Sequence, residues 1–306
     1  MSALGKLKTV LNALIRRGYW YDNNFMPDSR KFNVYSTFGT QVVNLGSTSA
    51  LAAFDYDGLE IKGANWALRR NPLMGDLAIL KNYSSYLKAG STVIISLCPF
   101  SALAGSYEPF EERYYSVLYP STIPSYSYVH GVQTQEKIKN PILYYPWYAL
   151  FTDIWHLIVK NDNKTLTEEK METDAKNWIK NWLHEFSLSS FESEWSLVNK
   201  DNISDAEKNL SEIIAYCKRK NAEAVIVVPP MYKTLAGMFT EDAKSKLFGA
   251  LNKVADDNGV KFLNYMDDQE FSNERTFFKN SYLMNKKGAN AFTKKVLTDL
   301  NIIEPR

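Results

Sequence analysis

The chain has 306 residues, and its 36 basic and 34 acidic residues leave a formal net charge of +2. This near balance provides no electrostatic basis for nucleic-acid binding, so we exclude nucleic acid as a partner. The length suits one large α/β domain with an insertion, or two small domains.

The cysteines and histidines are few and scattered. Two cysteines, Cys98 and Cys217, form no disulfide framework and are interpreted as buried thiols, as expected in a reducing compartment. Three histidines lack ligand spacing, so we predict no metal site, and we also predict no cofactor. No segment is apolar over the length needed to cross a membrane, and no signal peptide is recognisable. We therefore expect a cytoplasmic location and no membrane span.

The first residues, 1–17, read as an amphipathic helix. Its leucines fall on one face and its basic residues lie elsewhere: Leu4, Leu7, Leu11 and Leu14 against Lys6, Lys8, Arg16 and Arg17. We expect this helix to pack on its own domain or on a partner subunit, which would give a homodimer. The alternative is that it lies on an anionic membrane surface. Residues 1–40 are assigned to this helix and a lead-in, and residues 41–306 to one α/β domain.

Five apolar runs predict buried parallel strands, each ending at Gly, Pro, Asn or Asp. They lie near residues 41–46, 59–64, 92–97, 224–229 and 260–265. Helical patterns alternate with them at about 73–88, 205–220, 241–257 and 285–300. The Ala89-Gly90-Ser91 stretch is expected to end the first of these helices. Alternation of this kind predicts a parallel sheet with helices on both faces.

Residues of about 100–203 interrupt the alternation and predict a helical insertion, a lid over the carboxyl edge of the sheet. Helices are expected near 108–118, 143–159 and 168–186, with a loop over Tyr119–Asn140 and a solvated turn at Lys160–Lys164. Aromatic residues concentrate in this insertion: Tyr144, Tyr145, Trp147, Tyr148 and Trp155. They could stack on sugar rings or form a helix core, and both readings suit Tyr and Trp.

The stretch Gln41–Ala50 reads as a strand, a tight turn at Gly46 and the start of a helix. In an open α/β sheet, this is the carboxyl end of a strand, where ligand sites form. Hydroxyls at Ser47, Thr48 and Ser49 would stand near helix N-terminal N–H groups that could stabilise an oxyanion. The alternative is that one of these hydroxyls only caps the helix.

Two motifs carry a resemblance to a known family. Asn44-Leu-Gly-Ser-Thr-Ser49, followed far downstream by Leu283-Met-Asn-x-x-Gly-Ala289, resembles the SGNH (GDSL) hydrolase family. The similarity is to the bacterial branch found among surface-polysaccharide genes, and it extends over roughly residues 38–300. It implies a three-layer α/β/α flavodoxin-like sandwich with a nucleophilic serine, a C-terminal Asp and a His. It further implies ester hydrolysis or acyl transfer, often on acylated glycans.

This sequence departs from the family at each catalytic position. The nucleophile position falls on Thr48, with Ser47 just before it, while the Asp position falls on Asn280 and the His position on Leu283. A leucine cannot take a proton from a hydroxyl, so the chemistry lacks its general base. We assign ligand-binding positions to Gly46, Ser49, Asn65 and Asn285.

Three functions remain open from the sequence. The first is a catalytically degenerate SGNH-like protein that binds a glycan or acylated carbohydrate, or serves as a scaffold, in cell-surface polysaccharide metabolism. The second is an active carbohydrate esterase or O-acyltransferase with a relocated base, for which His130 and His156 are the candidates. The third is a structural subunit that dimerises through its N-terminal helix. Whether the protein is an enzyme is therefore left undecided by the sequence.

Overall fold

The computed structural model describes residues 3–29, 32, 38–104, 112–123, 125–158, 165–193 and 199–304. The chain divides into two compact units. The helical unit joins Met1–Ser36 to Tyr107–Asn161, and the sheet unit joins Thr37–Ser106 to Asp162–Arg306. The predicted insertion at 100–203 is thus shared between the two units, and its expected turn at Lys160–Lys164 lies outside the described residues.

The regular elements follow in chain order. The strands are β1 Thr40–Gly46, β2 Gly63–Asn65, β3 Leu87–Ser96, β4 Glu223–Val228 and β5 Phe262–Asn264. The α-helices are α1 Ala3–Ile15, α2 Thr48–Ala53, α3 Leu73–Tyr83, α4 Glu112–Val117, α5 Tyr128–Lys139, α6 Trp147–Ile158, α7 Glu168–Glu185, α8 Lys200–Arg219, α9 Lys233–Ala236, α10 Glu241–Asn258, α11 Gln269–Ser272 and α12 Lys286–Asp299. Short π or 3-10 turns occur at Tyr21–Phe25, Ser84–Tyr86, Pro120–Thr122, Pro141–Leu143 and Arg275–Phe277.

The sheet unit is a three-layer α/β/α sandwich, as the sequence predicts. Its five strands are all parallel, in the order β2-β1-β3-β4-β5. One face of the sheet packs its apolar side chains against α12, where Phe292, Val296 and Leu297 are fully buried. Helix α8 packs against α3 and α10. Parallel strands buried on both faces read as continuous apolar runs, which is why the sequence reveals this sheet.

The second strand and the helix after it differ in extent from the prediction. The second strand was expected at 59–64, but β2 spans only Gly63–Asn65. Leu59 and Ile61 are part-buried and contact the core from a turn before the strand. Likewise, the expected helix 73–88 is wrong at its end, since α3 stops at Tyr83 and β3 begins at Leu87. Gly90 lies within β3 rather than at a helix end, and its N–H donates to the Asn221 carbonyl at 2.7 Å.

The predicted loop over Tyr119–Asn140 is also wrong, because it contains α5. The Ser127 hydroxyl caps this helix by accepting from the His130 N–H at 3.4 Å. The buried residues of α5 are Gly131 and Thr134 rather than large apolar ones, so the helix lacks the inward apolar stripe that sequence periodicity detects.

The helical unit has a small aromatic core of its own. Trp20, Tyr21, Met26 and Ala149 are buried together there. The Asp153 carboxylate accepts from the backbone N–H of Trp20 and from the Tyr145 hydroxyl, each at 2.7 Å. None of the helices in the described residues combines the length and the apolarity that crossing a bilayer requires.

Candidate functional site

The turn at the end of β1 depends on a glycine and on a buried carboxylate. Gly46 has a φ of +129°, and a Cβ at this position would lie 2.5 Å from the Ser96 carbonyl oxygen of β3. The Gly46 N–H donates to Asp76 Oδ1 at 2.9 Å, and the Asn71 side-chain amide donates to the same oxygen at 2.5 Å. Asp76 is 1% exposed, so this carboxylate fixes the turn from inside the protein. The contacts of Gly46 with Asp76 and with β3 stabilise the fold, and its assignment to ligand binding stays a prediction.

The three hydroxyl residues after Gly46 have different environments. Ser47 occupies the cap position of α2, but its side chain makes no capping hydrogen bond, so capping alone does not account for it. Thr48 is half-buried, and its hydroxyl accepts from the Arg70 backbone N–H at 3.1 Å. Ser49 is buried. Ser47 and Thr48 are therefore the hydroxyl residues of this motif that keep appreciable exposed surface.

The closing motif forms a tight turn held by its own asparagine. Asn280 Oδ1 accepts from the backbone N–H groups of Tyr282 at 3.0 Å and Leu283 at 2.7 Å. The Lys279 N–H donates to the Leu283 carbonyl at 2.8 Å and closes the turn from the other side. The side chain at the position where the resemblance implies an Asp is thus engaged in backbone structure. Leu283, at the His position, is half-buried and offers no proton acceptor.

A carboxylate from α7 holds the same turn. The buried Ser281 donates both its N–H and its hydroxyl to Asp174 Oδ2, at 3.0 and 2.5 Å. Sequence reasoning missed Asp174, because nothing distinguishes it from the other acidic residues of a charged helix. The Ser281 carbonyl in turn accepts from the Tyr232 N–H at 3.0 Å. The turn is therefore fixed to two neighbouring segments of the sheet unit.

Asn285 and Gly288 start α12. Asn285 Oδ1 caps the helix by accepting from the Gly288 N–H at 3.0 Å, and its amide donates to the Thr276 carbonyl at 2.7 Å. A Cβ on Gly288 would overlap the Phe277 carbonyl oxygen, so only glycine fits there. These contacts give Asn285 a structural role, and its assignment to ligand binding remains a prediction.

Asn65 is similarly engaged at the end of β2. Its side-chain amide donates to the Phe54 carbonyl at 2.9 Å, beyond the end of α2, and its Oδ1 accepts from the Asn44 amide at 2.9 Å. The Ala67 N–H also donates to that oxygen, at 3.1 Å. These bonds tie β1, β2 and α2 together, and ligand binding by Asn65 also remains a prediction.

Ser49 and Tyr282 bring the two motifs together at the carboxyl edge of the sheet. The Tyr282 phenol lies close enough to interact with the Ser49 hydroxyl and with the Cys98 thiol, which follows β3. No partner among the described residues completes a well-aligned hydrogen bond to the Ser49 hydroxyl. Three chain segments that are far apart in sequence therefore converge on one cluster, Ser49–Cys98–Tyr282. Cys98 keeps some exposed surface, so the prediction of buried thiols is confirmed only for Cys217. Cys98 could have been found from its place directly after a strand; Tyr282 carries no such signal.

The cluster stays protonated near neutral pH. Burial raises the pKa of the Tyr282 phenol well above its ordinary value, and the neighbouring Cys98 raises it further, while the Ser49 hydroxyl lowers it. Burial also raises the pKa of the Cys98 thiol, although the Ser101 hydroxyl works in the opposite direction. A thiol with a raised pKa is a poor nucleophile. The cluster can therefore donate and accept hydrogen bonds but does not supply an activated nucleophile.

The histidines considered as replacement bases lie in the helical unit. His156 stacks on Tyr19 with ring centroids 3.4 Å apart, and His130 lies edge-on to Tyr115 at 6.1 Å. The third histidine, His184, is exposed in the last turn of α7. Within the described part of the chain, no three residues among His, Cys, Asp and Glu are grouped to hold a metal ion.

The fold and site together define an α/β/α sandwich with a five-stranded parallel sheet and a polar cluster at its carboxyl edge. Among solved structures, the chain is similar to the crystal structure of protein YXIM from Bacillus subtilis, with 10% sequence identity and a TM-score of 0.36. That match covers 87% of this chain but only 58% of the Bacillus protein. No family profile matches the sequence, and no curated protein matches it.

Proposed function

We propose that this protein is a catalytically degenerate SGNH hydrolase-like protein that binds an acylated carbohydrate in cell-surface polysaccharide metabolism. The proposal is supported by the order of the two motifs along the chain and by their convergence through Ser49 and Tyr282. The parallel sheet, with the first motif directly after β1 and the closing motif directly before α12, fits the architecture that the resemblance implies.

One observation supports the loss of catalysis more than any other. The oxygen of Asn280 is engaged with two backbone N–H groups of its own turn, and the next family position is occupied by Leu283. A threonine hydroxyl is a weak nucleophile until a base accepts its proton. Nothing in the closing motif can do so, and removal of triad members lowers kcat by about 10⁴-fold or more in enzymes of this type.

Binding is supported by what remains at the strand end. Ser47 and Thr48 are partly exposed there, and hydroxyl side chains can exchange hydrogen bonds with the hydroxyl groups of a sugar. The rigid Gly46 turn holds them in place at no further ordering cost. Such a surface can recognise a carbohydrate ligand without transforming it.

Hydrolysis of p-nitrophenyl acetate tests the catalytic half of the proposal. We expect the wild-type rate to equal that of Thr48→Ala, which removes the candidate nucleophile while keeping the turn. The combined change Thr48→Ser, Asn280→Asp and Leu283→His should raise the rate more than any single change, because triad members act as a unit. A robust wild-type rate that Thr48→Ala abolishes would instead favour the active esterase or O-acyltransferase. Separate His130→Ala and His156→Ala variants would then identify its base.

Titration calorimetry with O-acetylated and de-acetylated oligosaccharides tests the binding half. We expect heat of binding with the acetylated ligand, weakened by Thr48→Ala and unchanged by Lys253→Ala, an exposed residue of α10. The absence of binding to either oligosaccharide would contradict the proposed ligand class while leaving the catalytic result intact.

A further inference from the structure

Helix α1 is amphipathic in the reverse of the usual sense. Its buried residue is polar: Asn12 is 4% exposed, and its Oδ1 accepts from the Ile142 N–H at 3.0 Å. Its apolar residues Leu7, Val10 and Leu14 are each more than half exposed. A helix that packs only on its own domain buries its apolar residues and exposes its polar ones. The expectation that the apolar stripe of this helix packs on its own domain is therefore wrong for the leucines whose side chains are described.

Helix α6 of the same unit repeats this reversal. Its inward side carries Ala149 and the hydrogen-bonded Asp153. Its outward side carries large apolar residues that are 61–81% exposed, including Trp147, Phe151 and Trp155. The aromatic residues of this helix are therefore mostly not a helix core, which was one of the two readings of the sequence. Exposed apolar faces on two helices of one unit mark an interaction site.

The charges around α1 indicate what covers this surface. At about 100° of rotation per residue, Lys6 and Lys8 lie to either side of Leu7, and both are exposed. The helix contains no acidic residue. A protein partner would have to present acidic groups on both sides of an apolar groove, whereas an anionic bilayer presents headgroups around an apolar interior everywhere. Trp and Tyr, which are exposed on α6, also suit the boundary between headgroups and acyl chains.

We propose that the helical unit docks on the surface of an anionic lipid bilayer, with the outward faces of α1 and α6 embedded in the headgroup–acyl boundary. The apolar faces enter the boundary, and the flanking lysines contact phosphate groups. The attachment is peripheral, because the embedded segments are amphipathic helices that lie in the plane of the surface. This inference is independent of the ligand proposed for the sheet unit.

Vesicle co-sedimentation of the full chain tests the proposal. We expect binding to vesicles of phosphatidylcholine and phosphatidylglycerol, and much weaker binding to phosphatidylcholine alone. Changing Leu7 and Leu14 together to Glu, or Phe151 to Glu, should each lower the partition coefficient at least about tenfold. Lys6→Gln with Lys8→Gln should lower it about fivefold per lysine, for anionic vesicles only.

The matched control is Phe38→Glu, because Phe38 is 69% exposed but belongs to the sheet unit. This variant should bind vesicles as the wild type does. All the substituted side chains are exposed, so circular dichroism and the thermal midpoint should be unchanged in every variant. Brominated lipids should quench tryptophan emission in the wild type, and less so in Trp147→Phe with Trp155→Phe.

Three results would overturn the proposal. The first is an absence of co-sedimentation with either vesicle composition. The second is loss of binding in Phe38→Glu as large as in Phe151→Glu. The third is a stable dimer in sedimentation velocity that Leu14→Glu dissociates and that vesicles do not dissociate. This result would assign the surface to a second copy of the chain.

Discussion

The link between Asp174 and Ser281 offers a direct test of how the closing motif is held. We consider the substitution Asp174→Ala, which removes the single carboxylate oxygen that accepts two hydrogen bonds from Ser281. Asp174 itself is half-buried, whereas Ser281 is fully buried. The substitution therefore leaves two buried donors without their acceptor, and water reaches them poorly.

The magnitude follows from those two donors. Leaving a buried donor unsatisfied costs about 1–3 kcal/mol, and the hydroxyl can lower its own cost by rotating. Alanine stabilises the interior of α7 by about 0.5 kcal/mol relative to aspartate, which offsets part of the loss. We expect the free energy of unfolding to fall by about 2–3 kcal/mol. The double variant with Ser281→Ala should lose less than the sum of the two single variants, because they share one interaction.

Urea unfolding followed by tryptophan fluorescence measures this change near the site. Trp178 and Trp182 of the same helix lie 5.0 Å, between ring centroids, from Tyr282 of the turn. Glu172→Ala is the matched control, since Glu172 is an exposed acidic residue two positions away on α7. If Asp174→Ala unfolds within about 0.5 kcal/mol of Glu172→Ala, the contact contributes no more than an exposed charge does, and the reasoning is refuted.

Three further predictions use the same unfolding assay. Gly46→Ala should lower the free energy of unfolding by about 3 kcal/mol or more, or prevent accumulation of soluble protein, because it forces a Cβ against the Ser96 carbonyl at a positive φ. An unchanged free energy of unfolding would contradict this prediction. Asn280→Ala should lower the free energy of unfolding by about 1–2 kcal/mol, whereas Asn280→Asp should change it by no more than about 0.5 kcal/mol, because a carboxylate accepts from the same two N–H groups. Equal losses in the two variants would contradict this role of Asn280. Burial raises the pKa of Asp299, but the Lys295 ammonium at 2.6 Å, together with a tyrosine hydroxyl, outweighs it and holds that pKa below its ordinary value. Since the folded pKa is lower than the unfolded value of about 3.9, this stabilisation is complete above that value and is lost as the pH falls through the folded pKa. Asp299→Asn should therefore make the free energy of unfolding depend less on pH below about pH 4. An unchanged pH dependence would exclude the contact.

The sheet could be predicted from the sequence because its strands are buried on both faces. A run such as Thr92–Leu97 needs no context to be recognised as a buried parallel strand. The failures occur where an apolar side chain does not mark a regular element. Leu59 packs on the core from a turn, while Val129 is apolar but exposed on α5. Leu59 is apolar without lying in a regular element, and Val129 is apolar without being buried, so in neither place does hydropathy identify the element.

The candidate site could be predicted only where backbone geometry fixes the residue type. The turn at Gly46 and the cap at Asn285 leave a local signature that can be read along the chain. Asp76 and Asp174 leave none, because their hydrogen bonds depend on folding that brings distant segments together. The same is true of Tyr282, whose neighbours Ser49 and Cys98 come from the segments that follow β1 and β3.

The closing motif contains residues that hold its backbone turn and one position, Leu283, where the resemblance implies a proton acceptor. Asn280 differs from the family's Asp, yet its carboxamide oxygen accepts the two N–H bonds that the turn requires. Gly288 agrees with the motif because no other residue fits against the Phe277 carbonyl. Leu283 lies at the position where the resemblance implies a histidine, and its N–H and carbonyl serve the turn. An enzyme of the kind that the resemblance implies needs both the turn and a proton acceptor held by it. The turn is present and Leu283 offers no proton acceptor, and on this combination we propose a binding role rather than a reaction.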